Sequence, residues 1–494
     1  MVRTRARGRK EFVFLGLFAA LFLWACGPQR AITAKRIKAA EKGLMRAVYL
    51  KGLMPEKIAL AERMKFYKVP GVSIAALDKN KIEWTRAYGE RDVQVRQPMT
   101  ADTLLQGGAF SQMMTAAAAL GLAEKGKLDL DADLASVLKS WMLPRPRPGQ
   151  KTTITARSLL THSSGLMDQA FEGYALDEPI PDLLQIVNGD RPAKNGPVWI
   201  LAPKTSTSQV RYSESGYVLL QQALQDLSGK AFAAFMKEVI LEPLGLKNTT
   251  FSVPLAEVWK SQAAPGHLRE GKPVAGLWLN YPEAAAKGLW TTPGDFAAFL
   301  ADLLQAAGGG EGKILSQETA RLMLSSQVEG RGFGFLVDGV GGDIHYMLSG
   351  KTRGYSCAMV VYPVKGQGAV VMTNSENGTL LIREILAALS VAYGWPDFRP
   401  EEKEVLRLDP GTYKEYCGRY EVNPQYALDV GQEDYSLVIQ PTGQTATKFY
   451  AEAQTLFYSI DPYVRIQFFK DRAGAVERLV LWQGDYEIEA KKVR

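Results

Sequence analysis

The sequence predicts an α/β (α+β) domain in which helices cover a sheet, followed by a small antiparallel all-β barrel domain. Three observations carry this. The stretch Leu104–Asp131 contains a run, Ala109–Glu124, rich in Ala, Leu and Met and without a charge before Glu124. A helix that is apolar on every side is a buried one, so this run is the central helix of a sizeable domain. Strand-like patterns flank the helical middle on both sides, around Asp78 and again after about residue 330, as expected when both ends of a domain contribute to one sheet. Beyond the polar, Pro-bounded segment Arg399–Pro410, only strand patterns remain.

In chain order, Gly71–Gly89 reads as a hairpin around Asp78-Lys79-Asn80. Gly107 and Gly108 allow a tight turn into the buried helix, and Gly126 is placed to end it. Thr153–Ser164 carries a short helical Ser-Leu-Leu-Thr-His segment, and residues 167–210 are loop-rich. Tyr217–Leu227 and Ala231–Ile240 are amphipathic helices, and Thr292–Ala307 opens with Thr-Thr-Pro-Gly-Asp, a helix-start sequence. Phe333–Val340, Tyr355–Pro363 and Gly368–Asn374 read as adjacent strands, with Leu380–Tyr393 as a covering helix. In the last part Val464, Ile466 and Phe468 alternate with Arg465 and Gln467, and turn signals recur at short intervals, giving a barrel of seven or eight short strands.

Composition narrows the function classes. The chain has 494 residues, 46% hydrophobic and 22% charged, ordinary for a globular protein with room for one large and one small domain. The formal charge of +7 overstates the basicity, because Arg3, Arg5, Arg7, Arg9 and Lys10 against Glu11 supply +4 of it, leaving +3 after residue 25. No basic face or recognition motif accompanies this charge, so nucleic acid is not an expected partner. His162, His267 and His345 stand in no metal-ligand spacing with Cys or acidic residues, and no metal or cofactor is expected. Cys357 and Cys417 are expected as separate thiols, one in an apolar strand and one at the start of the last domain.

The N-terminus has a basic head followed by the apolar run Phe12–Ala25, too short for a comfortable membrane span but suited to a signal-peptide core. It ends in Leu23-Trp24-Ala25-Cys26, which resembles the lipobox of bacterial lipoproteins. That resemblance implies a signal peptide over residues 1–25, lipidation of Cys26, and an exported protein tethered to the periplasmic side of a bacterial envelope membrane. The expected layout continues with a tether and helical leader (26–54), the main domain (55–398), a linker (399–410) and the barrel (411–494).

An ordered set of phrases makes a family recognisable: Gly126-Lys127-Leu128-Asp129-Leu130-Asp131, Leu159-Leu160-Thr161-His162-Ser163-Ser164-Gly165-Leu166, Tyr212-Ser213-Glu214-Ser215-Gly216-Tyr217, Pro243-Leu244-Gly245-Leu246, Gly288-Leu289-Trp290-Thr291-Thr292, and Gly350–Tyr355 followed by Val370–Asn374. Residues from about 55 to 395 resemble the serine β-lactamase/transpeptidase-like hydrolases: class C β-lactamases, DD-peptidases (penicillin-binding proteins) and esterases of that fold. The last section resembles the lipocalin-like domain appended to some members.

The resemblance implies three chemical clusters. A Ser-x-x-Lys at the start of the buried helix supplies nucleophile and proton acceptor. A Tyr-x-Asn loop supplies a second proton-handling group and an orienting amide, and a strand carries Lys-Thr-Gly or His-x-Gly. The strand backbone and the nucleophile's own N–H stabilise the oxyanion. Here the serine position falls on Ala109 and the lysine position on Gln112; Tyr212 is retained, the Asn position is Glu214, and the strand triplet is Leu348-Ser349-Gly350. Alanine has no nucleophilic atom and glutamine accepts no proton as a base.

Ser111 is the fallback nucleophile, but it lies about 200° around the helix from Ala109 and is expected to bond backbone at the helix start. Lys351-Thr352-Arg353 is an alternative register for the strand triplet. His162 is expected in core hydrogen bonding and His345 on the strand surface. The expected function is thus a membrane-tethered homologue of these hydrolases whose acyl chemistry is degenerate. Its cleft would bind a peptide, a peptidoglycan-like fragment, a small molecule or a partner protein. The alternative is an active esterase, β-lactamase or peptidase using Ser111.

Overall fold

The computed structural model describes residues 29–142, 153–169, 171–198, 210–484 and 486–493. The signal segment and Cys26 lie outside the described residues. Two compact units result: Ala61–Arg383, and the chain up to Leu60 together with Glu384 onwards.

The larger unit is built on a seven-stranded antiparallel sheet in the order Gln97–Pro98, Lys81–Asp92, Gly71–Asp78, Gln367–Thr373, Tyr355–Tyr362, His345–Thr352, Leu336–Asp338. The first hairpin closes at Lys79 and Asn80, both with positive φ (54° and 57°), the geometry of a two-residue turn matched to strand twist. The sheet joins residues 71–92 to residues 336–373, so the two chain ends of the domain share one sheet. The helix Phe110–Glu124 is buried along almost its whole length and packs among the helices Ala284–Lys287, Glu214–Ser228 and Gln317–Met323 and against the strand His345–Thr352. The helix Pro293–Ala307, capped by Thr292 Oγ1 accepting from the Asp295 amide at 3.1 Å, packs on the sheet's Gly71–Asp78 strand.

Several elements differ from expectation. The strand within Phe333–Val340 is only Leu336–Asp338, because Phe333 and Phe335 turn into the core instead. The helix after Ala231 is α-helical over Phe232–Met236 and then widens to a π-helical turn, Lys237–Leu241. His345, expected on the strand surface, is 2% exposed. Its Nδ1 lies 3.0 Å from the Asp343 carbonyl and its ring packs on Tyr362, centroids 5.1 Å apart. Lone His residues in strands are ambiguous because an aromatic partner across the sheet can draw them inward.

In the other unit, residues 29–42 are helical. The leader and the linker pair with each other: Val48–Leu50 runs parallel to Glu401–Lys403. Arg46 adds ion pairs to Glu56 (2.7 Å) and to Asp461 (2.8 Å) in the barrel hairpin. Extended backbone needs partners, and here each segment supplies them for the other. The barrel has eight strands, from Gly418–Asn423 to Tyr486–Val493, and closes by pairing the first with the last. Val464, Ile466 and Phe468 point inward, as the alternation predicts. Its interior is filled by side chains, among them Tyr416, Tyr420, Phe449, Phe457 and Phe468. The helix Pro410–Tyr416 contributes Tyr413 and Tyr416 to this core. Cys357 and Cys417 are both free thiols.

Candidate functional site

The first turn of the buried helix, the loop at Tyr212 and the strand at Gly350 meet. Gly108 enters the helix with φ +49°, and a Cβ there would lie 2.7 Å from the Lys351 amide nitrogen. A Cβ on Gly350 would lie 2.5 Å from the Gly107 carbonyl and 2.8 Å from the Ala109 nitrogen. Glycine is required on both sides of this approach, which brings the Ala109 amide beside the strand backbone at Gly350 and Lys351. Gly350, and not the Lys351–Arg353 triplet, is therefore the glycine seated against the helix start. Leu348 is on the same strand, paired with Met359.

Ser111 is fully buried. Its hydroxyl donates to the Gly108 carbonyl at 2.7 Å and accepts from the Leu289 amide at 3.0 Å. Thr115, one turn on, likewise donates to the Ser111 carbonyl at 2.8 Å. Both hydroxyls serve the backbone.

Gln112 instead turns toward the loop. Its Nε2 donates to Tyr212 Oη at 2.8 Å, and Tyr212 Oη in turn donates to Glu214 Oε1 at 3.5 Å. Glu214 Oε2 meets Lys287 Nζ at 2.6 Å, with both side chains largely enclosed (15% and 12% exposed). Lys287 Nζ also donates to the Phe171 carbonyl at 3.3 Å and lies 5.6 Å from the Tyr281 ring centroid. The Glu214 amide donates to Asp168 Oδ1 at 2.8 Å. An unbroken chain thus runs Gln112–Tyr212–Glu214–Lys287.

The electrostatics follow from burial. Desolvation raises the Tyr212 phenol, and the Glu214 carboxyl raises it further, so the phenolate a general base would need is disfavoured. Burial also raises Glu214 itself, with Lys287 opposing. Glu283, 1% exposed, is pushed up by burial to about 7, against the pull of Lys287. The Cys357 thiol, which donates to the Gly107 carbonyl at 3.1 Å, is also pushed up by burial. His162 is 4% exposed, its Nδ1 3.2 Å from the Ser213 backbone, its ring 4.5 Å from Tyr212, and burial lowers it to about 4. Among the described residues, no group of three His, Cys, Asp or Glu is arranged to hold a metal.

Sequence reasoning placed Ala109, Gln112, Tyr212, Glu214 and Gly350 together and missed Lys287, Asp168 and Glu283. The available signal was Lys287 itself, a lone cation in the otherwise apolar run Ala284–Trp290.

Comparison with known proteins agrees with this architecture. The family model described as Beta-lactamase matches residues 59–392. A penicillin-binding protein of Bacillus subtilis (strain 168) is 23% identical over 456 residues, covering 85% of this chain and 95% of that one. Protein flp of Staphylococcus aureus (strain MW2) is 25% identical over 228 residues, covering 46% of this chain and 42% of its own length. The solved octameric penicillin-binding protein homologue from Pyrococcus abyssi superposes with a TM-score of 0.57 at 23% identity, covering 87% of this chain and 98% of that one. With the family model spanning most of the chain, and the sheet, the buried helix and the cleft glycines all in place, this protein belongs to the beta-lactamase family.

Proposed function

We propose that this protein is a β-lactamase-family homologue that binds a ligand in its cleft without forming an acyl-enzyme. The supporting observation is the chain Gln112–Tyr212–Glu214–Lys287, because it engages the polar side chains at the first two of the three family clusters. Gln112 donates to the tyrosine, the tyrosine donates to a carboxylate, and the lysine is paired to that carboxylate. Ala109 offers only a methyl group beside the strand backbone. Loss of the nucleophile in a site of this kind removes on the order of 10⁶ in kcat. The reading extends to an exported, lipid-anchored protein through Cys26, with a peptide, cell-wall fragment or partner protein as occupant.

Incubation of the full-length protein with a fluorescent penicillin or a fluorophosphonate should leave no heat-stable label. A stable adduct would overturn the reading. The competing reading, hydrolysis through Ser111, predicts ester or nitrocefin turnover that disappears in Ser111→Ala. The two backbone hydrogen bonds held by that hydroxyl argue against it.

A further inference from the structure

We infer that the leader, residues 30–57, lies on the surface of an anionic phospholipid bilayer, with its lysine face against the headgroups and Leu53 and Met54 in the acyl boundary. This deepens the exported, lipid-anchored part of the proposed function and rests on it for the presence of a membrane near residue 26. Charge is distributed unevenly along the chain. Residues 30–57 hold eight Lys or Arg against Glu41 and Glu56, a net charge of +6. The chain after residue 25 nets only +3, so residues 58–494 net −3. The structure thus shows a basic face that the whole-chain balance conceals. In the helix over residues 29–42, Lys35, Lys38 and Lys42 are exposed and fall within about 60° of one another around the axis. On the opposite side Ala40 is buried and the Arg36 guanidinium lies 4.0 Å from the Tyr393 ring centroid, so the helix is held to its unit by the other face. Arg30, Lys35, Lys38, Lys42 and Lys57 are all exposed, and none forms an ion pair among the described residues. Acidic residues around the loop that follows are already engaged, Glu56 with Arg46 and Glu404 with Lys51.

A second, independent observation is apolar. The helix ends beside the backbone bridge Leu44–Ile58, which closes the loop between them and sets Lys42 and Lys57 within two residues of it. At the tip of that loop Gly52, with φ +83°, turns the chain, and Leu53 and Met54 stand 61% and 91% exposed. They border a cavity of about 220 Å³ that Val48, Leu50 and Ile460 also line. Ile32, 44% exposed, borders the lysine face of the helix. Cations beside bare apolar side chains make up a segment suited to a bilayer interface: the lysines gain from anionic headgroups and the apolar tip from hydrocarbon. A nucleic acid or other soluble polyanion would satisfy the lysines but leave Leu53 and Met54 in water. The apolar tip is what favours the bilayer.

The test is vesicle co-sedimentation of residues 26–494, which keep every described element, carrying Cys26→Ser so that no protein-bound lipid takes part. Phosphatidylcholine vesicles containing phosphatidylglycerol should be bound about tenfold or more tightly than phosphatidylcholine alone, and binding should weaken as salt is raised. Lys35→Gln, Lys38→Gln and Lys42→Gln combined should remove most of that preference. Leu53→Ser with Met54→Ser should weaken the binding that remains at high salt. All five positions are exposed, and a thermal melt confirms that each variant is folded. Equal binding of the two vesicle types, binding of neither, an unchanged preference in the lysine variant, or a duplex oligonucleotide bound as tightly as the anionic vesicles would each overturn the inference. Binding of neither by a protein whose cell-derived form carries a lipid on Cys26 would leave the anchored reading standing. Selective vesicle binding with Cys26 unmodified in cells would overturn that reading and leave the bilayer surface.

Discussion

The barrel and the cleft treat charge in opposite ways. In the barrel the interior is aromatic and aliphatic, and the ion pairs Arg419–Asp429, Lys448–Glu433 and Arg478–Glu489 stand on the outer surface with side chains 30–58% exposed. In the cleft, Lys287 and Glu214 pair with 12% and 15% exposure, and Glu283 is enclosed with an unpartnered oxygen. Surface pairs contribute little, whereas enclosed charges carry a desolvation cost that packing alone would avoid. A fold selected only for stability would fill the cleft as it fills the barrel. The contrast sets the enclosed charges of Glu214, Lys287 and Glu283 apart from the surface pairs of the barrel.

The largest expected effect tests that contrast directly. Lys287→Met leaves Glu214 enclosed without its cation and should cost about 3–5 kcal/mol in chemical denaturation. Adding Glu214→Gln should recover most of that loss, giving a large coupling energy in a double-mutant cycle.

Glu283→Gln should have the opposite sign. A carboxyl raised to about 7 in the folded protein keeps its proton while the unfolded chain releases it above about 4.5. Its contribution is therefore full below about pH 4.5 and is lost as pH rises to about 7, so the variant should gain about 3 kcal/mol at pH 8 and nothing at pH 4. His162, lowered to about 4 chiefly by burial and then by Arg331, works the other way. Its contribution is present above pH 6.5 and lost as pH falls toward 4. The two offset one another between about pH 4.5 and 6.5 in the parent, and Glu283→Gln should expose a rise in stability with pH there. A pH series of denaturation midpoints for both proteins checks this.

Smaller effects follow. Ser111→Ala orphans the Leu289 amide and should cost about 1–3 kcal/mol, with no change in any measured turnover. On the barrel, Arg419→Ala should cost no more than about 1 kcal/mol. A loss there comparable with that of Lys287→Met would remove the distinction between the two regions.

Much of this was legible in the sequence. The buried helix was readable because Ala109–Glu124 lacks charge, and the barrel because Val464, Ile466 and Phe468 alternate with polar residues. Ser111's backbone role followed from its angle around the helix together with its place at the helix start. Other features depended on long-range partners that no local pattern records. His345 is drawn inward by Tyr362 across the sheet. The leader strand Val48–Leu50 is stabilised by Glu401–Lys403, some 350 residues away. Lys287 could be noticed as a lone cation in an apolar run, but its meaning required Glu214, which sits on another helix.

The central claim is that the cleft has exchanged acyl chemistry for binding. Its most direct test is the intact mass of the full-length protein after prolonged incubation with a penicillin and, separately, with a fluorophosphonate. An unchanged mass in both is the predicted result; a mass increase by one acyl or phosphonyl group would contradict it.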